Sequence, residues 1–121
     1  RMKTSRLVRM APMVASAMLL AAAPVVARTP FVYASKFSYD GSLQSCIDGA
    51  TKALKIHGFD KNVRVLDVNP KLKEVKADHS VEYVAALIEC DKKRGLTMLV
   101  VAGPDNDAVY EAYEKLYSAD W

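Results

Sequence analysis

The sequence predicts an α+β domain in which a mainly antiparallel sheet carries two helices on one face. Two segments have apolar residues at helical spacing, and four others have the alternation or the apolar character of strands. Each helical segment has a single apolar stripe. Because one stripe buries only one side of a helix, the simplest arrangement is a two-layer sandwich in the order β-α-β-β-β-α.

The first 27 residues differ from the rest of the chain in charge and hydropathy. They contain four basic residues and no acidic residue, and residues 10–27 are uncharged. A basic start, an apolar run and small residues at the end are typical of a secretory signal peptide, so we expect cleavage after Ala27. An uncleaved membrane anchor is the alternative, because 18 uncharged residues lie near the lower limit for spanning a bilayer.

Removal of this leader changes the charge of the chain. The whole sequence has 17 basic and 14 acidic residues, a net charge of +3, and without the four basic residues of the leader 13 and 14 remain, a net charge of −1. A domain of this charge lacks the basic surface that nucleic-acid binding requires. We therefore predict one domain over residues 28–121, periplasmic or secreted, that binds neither nucleic acid nor membrane.

Cys46 and Cys90 are the two cysteines of the chain. Their even number and the oxidising compartment expected after export favour a disulfide. Cys46 lies on the apolar stripe of the first predicted helix, and Cys90 lies on the side of a strand that is expected to face the helices. Two separate buried thiols are the alternative. A bridge would close a loop of about 45 residues, for which the chain-entropy model gives about 4 kcal/mol.

The first half of the domain is predicted to begin with a strand and a helix. Residues 31–37 alternate in polarity and predict a strand. Apolar residues recur at helical spacing over residues 43–57, with Asp40 or Ser42 as the N-cap. Gly58 is suited to end this helix, because glycine accepts the left-handed conformation needed there.

Two further segments precede the centre of the chain. Residues 63–68 predict a second strand, which ends before Pro70 because proline cannot donate to a ladder. Residues 71–79 leave two alternatives open, an edge strand or a solvated excursion. The last helix is expected to start at residues 105–107, where Asp, Asn and Asp supply capping groups and negative charge.

Residues 81–90 and 96–102 form the clearest strand pair, joined by a polar turn that ends in Gly95. If Cys90 pairs with Leu96, a second apolar set lies on the side away from the helices. This predicted interaction surface consists of Tyr83, Ala85, Leu87, Leu99 and Val101. Since monomers rarely expose large apolar patches, a second copy or a protein partner is expected to cover it, unless residues 71–79 fold back over it.

No sequence motif indicates a catalytic, metal or cofactor site. His57 and His79 are the two histidines, and neither has a ligand partner at metal-binding spacing. His57 is explained as a cap at the helix C-terminus, where the dipole favours a cation. The chain has no Cys-x-x-Cys and no Gly-x-Ser-x-Gly motif. We predict no metal and no cofactor.

Two classes of function remain open. The first is a non-enzymatic binding or interaction module that uses the sheet face or the tyrosine-rich last helix, favoured because residues able to do acid–base chemistry are sparse. The second is a small enzyme or enzyme inhibitor with a site assembled from Asp67, His79 and Glu82. A deep polar pocket holding His79 and a carboxylate would favour the enzyme, and a flat apolar sheet face would favour the module.

One combination of features resembles a known kind of protein. Cys46 in the first helix, Cys90 closing a strand, and Leu-Val-Val-Ala-Gly-Pro at residues 99–104 before the last helix, together with the leader, resemble small exported proteins of Gram-negative bacteria. The resemblance implies a periplasmic location and a two-cysteine α+β domain linked by a disulfide. That family has no established activity, so no functional residue is transferred.

Overall fold

The computed structural model describes residues 29–121, which form two helices and one five-stranded sheet. The elements in chain order are β1 Phe31–Ser38, α1 Leu43–Ile56, β2 Lys61–Asn69, β3 Leu72–Asp78, β4 Ala85–Asp91, β5 Leu96–Gly103 and α2 Asn106–Tyr117. The strands lie in the order β1-β5-β4-β3-β2, and every neighbouring pair is antiparallel. The predicted α+β class is confirmed. The predicted signal peptide, residues 1–27, lies outside the described residues.

The segment whose conformation the sequence left open, residues 71–79, forms an interior strand. β3 pairs with β2 on one side and with β4 on the other, so the sheet has five strands where four were predicted. Val75 and Ala77 are buried, while Glu74 and Lys76 alternate with them on the opposite face. Because this segment is hydrogen-bonded within the sheet, it does not fold back over either face.

Both helices pack on the same side of the sheet. α1 lies over β3 and β4, and α2 lies over β5 and β1. The Oγ atom of Ser42 accepts a hydrogen bond of 3.0 Å from the backbone N–H of Ser45, so Ser42 is the N-cap of α1. The helix ends at His57, and the following Gly58 has a φ of +87°, which is costly for residues with a side chain.

The core lies between the helices and one face of the sheet. Val75, Ile88 and Leu99 are directly opposite one another on three adjacent strands, and all three are fully buried. The helices contribute the residues that cover them, which are Cys46, Ile47, Ala50 and Leu54 from α1 and Val109 and Leu116 from α2. This packing uses the apolar stripe of each helix, as the sequence pattern predicts.

The hairpin between β4 and β5 differs by one residue from the predicted register. Cys90 pairs with Thr97 rather than with Leu96, because Asp91 belongs to β4 and the connection is four residues long. The Oδ1 atom of Asp91 accepts a 3.0 Å hydrogen bond from the backbone N–H of Arg94, and Gly95 has a φ of +67°. A shift of one residue moves every side chain of β5 to the opposite face.

The disulfide between Cys46 and Cys90 is present and joins α1 to β4. The Cα atoms of the two cysteines are 6.2 Å apart, and the bond links residues separated by 44 positions. Thr97, the residue paired with Cys90, is fully buried, and its Oγ1 atom lies 3.3 Å from the sulfur of Cys46. The bridge therefore fixes α1 on the sheet at the end nearest the β4–β5 turn.

We expect the double variant Cys46→Ala/Cys90→Ala to lose about 4 kcal/mol of unfolding free energy, because a long loop of the unfolded chain is no longer closed. Equilibrium denaturation in urea measures this loss. Reduced wild-type protein is the control and should unfold at the same midpoint as the double variant. An unchanged midpoint on reduction would contradict the expectation.

Candidate functional site

The side of the sheet opposite the helices, called here the open face, is uncovered within residues 29–121. Its apolar half lies on three adjacent strands, β1, β5 and β4, and its charged half lies on β3 and β2. The apolar half consists of Val32, Ala34, Ala85, Leu87, Met98, Val100 and Ala102. The charged half consists of Lys61, Arg64, Glu74, Lys76 and Asp78. Lys36 and Glu89 flank Met98 on this face, and Leu66 and Leu72 lie among the charged residues of β2 and β3. The face is therefore polarised across the strand order in most, but not all, of its residues.

The predicted interaction surface is corrected by the hairpin register. Ala85 and Leu87 do lie on the open face, but Leu99 and Val101 are fully buried beneath the helices. Tyr83 precedes β4, and its side chain is exposed in the connection from β3. The observed surface keeps the apolar character that was predicted, and different residues of β5 supply it.

Five apolar residues of the open face were not included in the prediction from sequence. Met98, Val100 and Ala102 were placed on the helix side by the one-residue error in register. Val32 and Ala34 belong to β1, which pairs with β5. Their alternation with Tyr33 was visible in the sequence, but the position of β1 beside β5 was not.

The apolar half is built from side chains aligned in rows across three strands. In one row across the sheet Ala34 lies opposite Val100, which lies opposite Leu87, and in the next row Val32, Ala102 and Ala85 are aligned. In the third row Met98 lies between Lys36 and Glu89. Two apolar rows on three strands spaced by ~4.8 Å give an area of roughly 200 Å². This is somewhat smaller than the largest apolar patches on monomers, which often mark binding sites.

Two carboxyl groups meet at the boundary between the two halves. Glu89 of β4 is directly opposite Glu74 of β3. Burial raises the pKa of Glu89 above its ordinary value, and a hydrogen bond with Glu74 and the charges of Glu74 and Asp91 raise this pKa further, while Arg94 lowers it. The fold therefore disfavours the ionised form of Glu89 and retains its proton to a higher pH than the unfolded chain does.

A second feature is a polar cleft of about 360 Å³ between the end of α1 and the beginning of α2. Its charged and imidazole groups belong to His57, His79, Glu82, Asp105, Asp107, Glu111 and Lys115. Within the described part of the chain, no three His, Cys, Asp or Glu side chains are arranged to hold a metal ion. His57, predicted as a helix cap, is the C-cap residue of α1.

His79 holds the chain that leads into β4. Its Nδ1 atom accepts hydrogen bonds from the backbone N–H groups of Val81 and Glu82, at 3.1 and 3.0 Å. The ring packs edge-on against Phe59, with centroids 5.0 Å apart, and a Cβ at Gly58 would lie 2.6 Å from its Nε2 atom. The Nδ1 atom is thus occupied by two backbone donors, so this nitrogen is not free to act as a general base.

The set of Asp67, His79 and Glu82 is not brought together. Asp67 lies on edge strand β2, where its Oδ1 atom is 3.2 Å from the Nζ atom of Lys73. Lys73 and His79 are separated by most of the length of β3, about 20 Å at ~3.3 Å per residue. Glu82 does line the cleft with His79. The three-residue site considered from sequence is therefore divided between two ends of the sheet.

The tyrosines of α2 pack against β1. The ring centroid of Tyr33 lies 5.2 Å from that of Tyr110 and 5.7 Å from that of Tyr113. The hydroxyl group of Tyr33 donates a 2.6 Å hydrogen bond to Oδ1 of Asn106, in the first turn of the helix. Tyr113 also stacks on Tyr117. This aromatic group joins α2 to the sheet, and Tyr110 and Tyr117 are about half exposed at its outer side.

Comparison with known proteins adds no family to these observations. No protein-family model matches the chain, and no curated protein or solved structure is significantly similar to it. Among residues 29–121, no helix has the length and hydropathy needed to cross a bilayer.

We expect Glu89→Gln to raise the free energy of unfolding by about 0.5 kcal/mol at neutral pH, because like charges directly opposite in a sheet are destabilising. Because the folded-state pKa of Glu89 is raised, ionisation of this side chain lowers the free energy of unfolding at pH values above that pKa. The loss disappears as the pH falls towards the ordinary value near 4.5. Urea denaturation as a function of pH measures the difference. A gain that persists at pH values below 4 would contradict this account.

We expect His79→Ala to lower the unfolding free energy by about 1–2 kcal/mol, because two backbone donors lose their acceptor. His79→Asn retains an acceptor at a similar position and should lose less. His57→Ala is the matched control and should stay within about 0.5 kcal/mol of wild type. Thermal and urea denaturation compare the three variants, and equal losses for His57→Ala and His79→Ala would oppose a positioning role for His79.

Proposed function

We propose that the protein is exported to the periplasm and that its domain is a non-enzymatic interaction module. In this proposal, the apolar half of the open face binds another protein. The disulfide is typical of a non-reducing compartment, and the basic, then apolar leader is typical of secretion. The supporting observation for binding is the exposure of the apolar half.

Neither helix of the described chain covers the apolar half, because both pack on the other face of the sheet. Val32 is 55% exposed and Met98 is 37% exposed, while both helices cover the opposite face. The segment that was considered as a cover, residues 71–79, is a strand of the same sheet. A partner molecule would remove this apolar surface from water, which is the main driving force of protein association.

The shape of the surface favours a protein over a small molecule. Three of its residues are alanines, and only Ala85 and Ala102 border a concavity, of about 440 Å³, whose charged lining comes from Lys61, Asp78 and Glu82. The rest of the apolar half offers no cavity that could enclose most of the surface of a small ligand. An interface confined to the apolar half would bury roughly 200 Å² on each side, well below the ~800 Å² per partner of a stable interface. We therefore expect the protein partner to be bound transiently.

The charges beside the apolar half fit the rim of such an interface. Arg64 and Lys76 lie opposite each other on β2 and β3, and Glu74 lies one row away on the same face. Polar rims around apolar centres are typical of transient protein interfaces. Mixed charge at this rim would select a partner by complementarity more than it would add affinity.

The enzyme alternative has less support. The cleft contains His79 and carboxylates, which is the arrangement that would favour an enzyme, but Nδ1 of His79 accepts two backbone hydrogen bonds. Asp67 is also remote from it. The lining of the cleft includes no serine, threonine or cysteine, and its one lysine, Lys115, forms an exposed 3.7 Å ion pair with Glu111.

Affinity capture from a periplasmic extract tests the binding proposal, with protein recovered from the periplasm as bait. Val100→Lys places a charge at the centre of the apolar half and should abolish capture of the partner. Val65→Lys is the matched control, because Val65 is a 47% exposed strand residue on the opposite face. Circular dichroism and thermal denaturation verify that both variants are folded.

A protein retained by wild type and by Val65→Lys but not by Val100→Lys would support the proposal. Equal capture by all three baits, or no capture even with a cross-linker, would refute it.

Intact-mass analysis of the chain expressed in a Gram-negative host tests export separately. We expect a periplasmic species that lacks residues 1–27 and has two hydrogens fewer than the dithiol form. A species that retains the leader, or cysteines that react with an alkylating reagent without reduction, would contradict export with oxidation.

A further inference from the structure

The two edges of the sheet differ in their protection against pairing with another strand. β2 is irregular: its register with β3 shifts between Lys61 and Arg64, Asn62 has a φ of +54°, and Pro70 follows the strand. Bulges, charges and proline are the devices that prevent edge-to-edge association. β2 is thus a protected edge.

β1 has one of these devices, the charge of Lys36, but neither a bulge nor a proline. Its eight residues pair with β5 in an unbroken register. Phe31 and Val32 are 45% and 55% exposed, values similar to the 47% and 51% of Val65 and Val68 on β2. No other strand of residues 29–121 lies beyond β1. Its outer backbone groups are therefore available to another strand.

The polarity of the open face also points to β1. The apolar half reaches this edge at Val32 and Ala34, and Lys36 is the charged residue of β1 on this face, whereas the charged half lies on the other side, on β3 and β2. As a protein interface, the apolar half of one molecule therefore has one charged residue in its rim along β1.

We propose that two copies of the chain pair antiparallel through β1, so that their sheets join into one of ten strands. The two apolar halves then adjoin at the centre, and the charged strands lie at both outer margins. The combined apolar surface is roughly 400 Å², twice that of one copy. The binding of a partner to the joined apolar surface rests on the proposed function, whereas the pairing through β1 does not.

The register of this pairing follows from side-chain direction and charge. Facing residues must lie on the same side of the joined sheet, so even-numbered residues pair with even-numbered residues. A two-fold axis at Lys36 places two lysines directly opposite, and an axis at Ser35 makes them diagonal neighbours. An axis at Ala34 separates the lysines.

With the axis at Ala34, Val32 of each copy lies opposite Lys36 of the other. The aliphatic part of the lysine then covers the exposed valine. On the helix side, Phe31 lies opposite Phe37 of the other copy, an aromatic cross-strand pair of the type that stabilises sheets.

Charge substitutions at Val32 test this register. Val32→Glu faces Lys36 of the other copy and should preserve or strengthen the dimer, whereas Val32→Lys faces a like charge at two symmetric positions. We expect the dissociation constants of the two variants to differ by about tenfold or more at low salt. Sedimentation equilibrium of the purified protein over a concentration series measures both.

Val68→Glu and Val68→Lys are the matched controls, because Val68 is 51% exposed on the other edge strand. They should leave the dimer unchanged. The double variant Val32→Lys/Lys36→Glu restores opposite charges and should recover dimerisation. Because Val32 is exposed at an edge, all these variants should retain the wild-type circular dichroism spectrum.

A wild-type protein that is monomeric at every concentration would overturn the proposal, as would Val32→Glu and Val32→Lys with equal dissociation constants. Dimerisation is measured without extract, so its failure is distinct from failure of the open face to capture a partner. A monomer that still captures a protein in a Val100-dependent manner refutes only the pairing. A dimer that captures nothing refutes only the proposed function.

Discussion

Two helices can cover only one face of a five-stranded sheet, and this one-sided burial determines the other properties of the molecule. The buried rows of β3, β4 and β5 face α1 and α2, and the disulfide from Cys46 to Cys90 fixes α1 over them. The aromatic contacts of Tyr33 attach α2 at the other side. The opposite face consequently has to be compatible with water or with a partner. Its charged half is suited to contact with water, and its apolar half is suited to contact with a partner.

Sequence patterns predicted most of the fold because each element has a local cause. The stripe of α1, its cap at Ser42 and its end at Gly58 depend on residues close together in the chain. β3 was harder to assign, because lysine and glutamate flank Val75 and the segment is apolar at only a few positions. Its place inside the sheet comes from pairing with β2 and β4, which local propensity does not describe.

The sequence predicted an apolar surface on this side of the sheet but not all of its residues. The assignment of a single residue, Asp91, explains why the residues of β5 differ. Whether Asp91 ends β4 or begins the turn decides which side of β5 faces the helices. Both alternating sets of β5 are largely apolar, so polarity alone could not select the register. The buried Thr97 is the one polar residue of the inward set, and its contact with the sulfur of Cys46 is visible only in three dimensions. The contribution of β1 likewise depends on the order of strands.

The asymmetry of the sheet gives the charged residues a second role besides solubility. Lys61, Arg64 and Lys76 lie on or beside β2, the edge that the bulge already makes irregular, so charge and backbone geometry exclude association on the same side. Along β1 the backbone pairing is regular, and Lys36 is the one charged residue. The two edges of the sheet therefore differ in how strongly they oppose pairing with another strand, and β1 is the edge at which such pairing is opposed least.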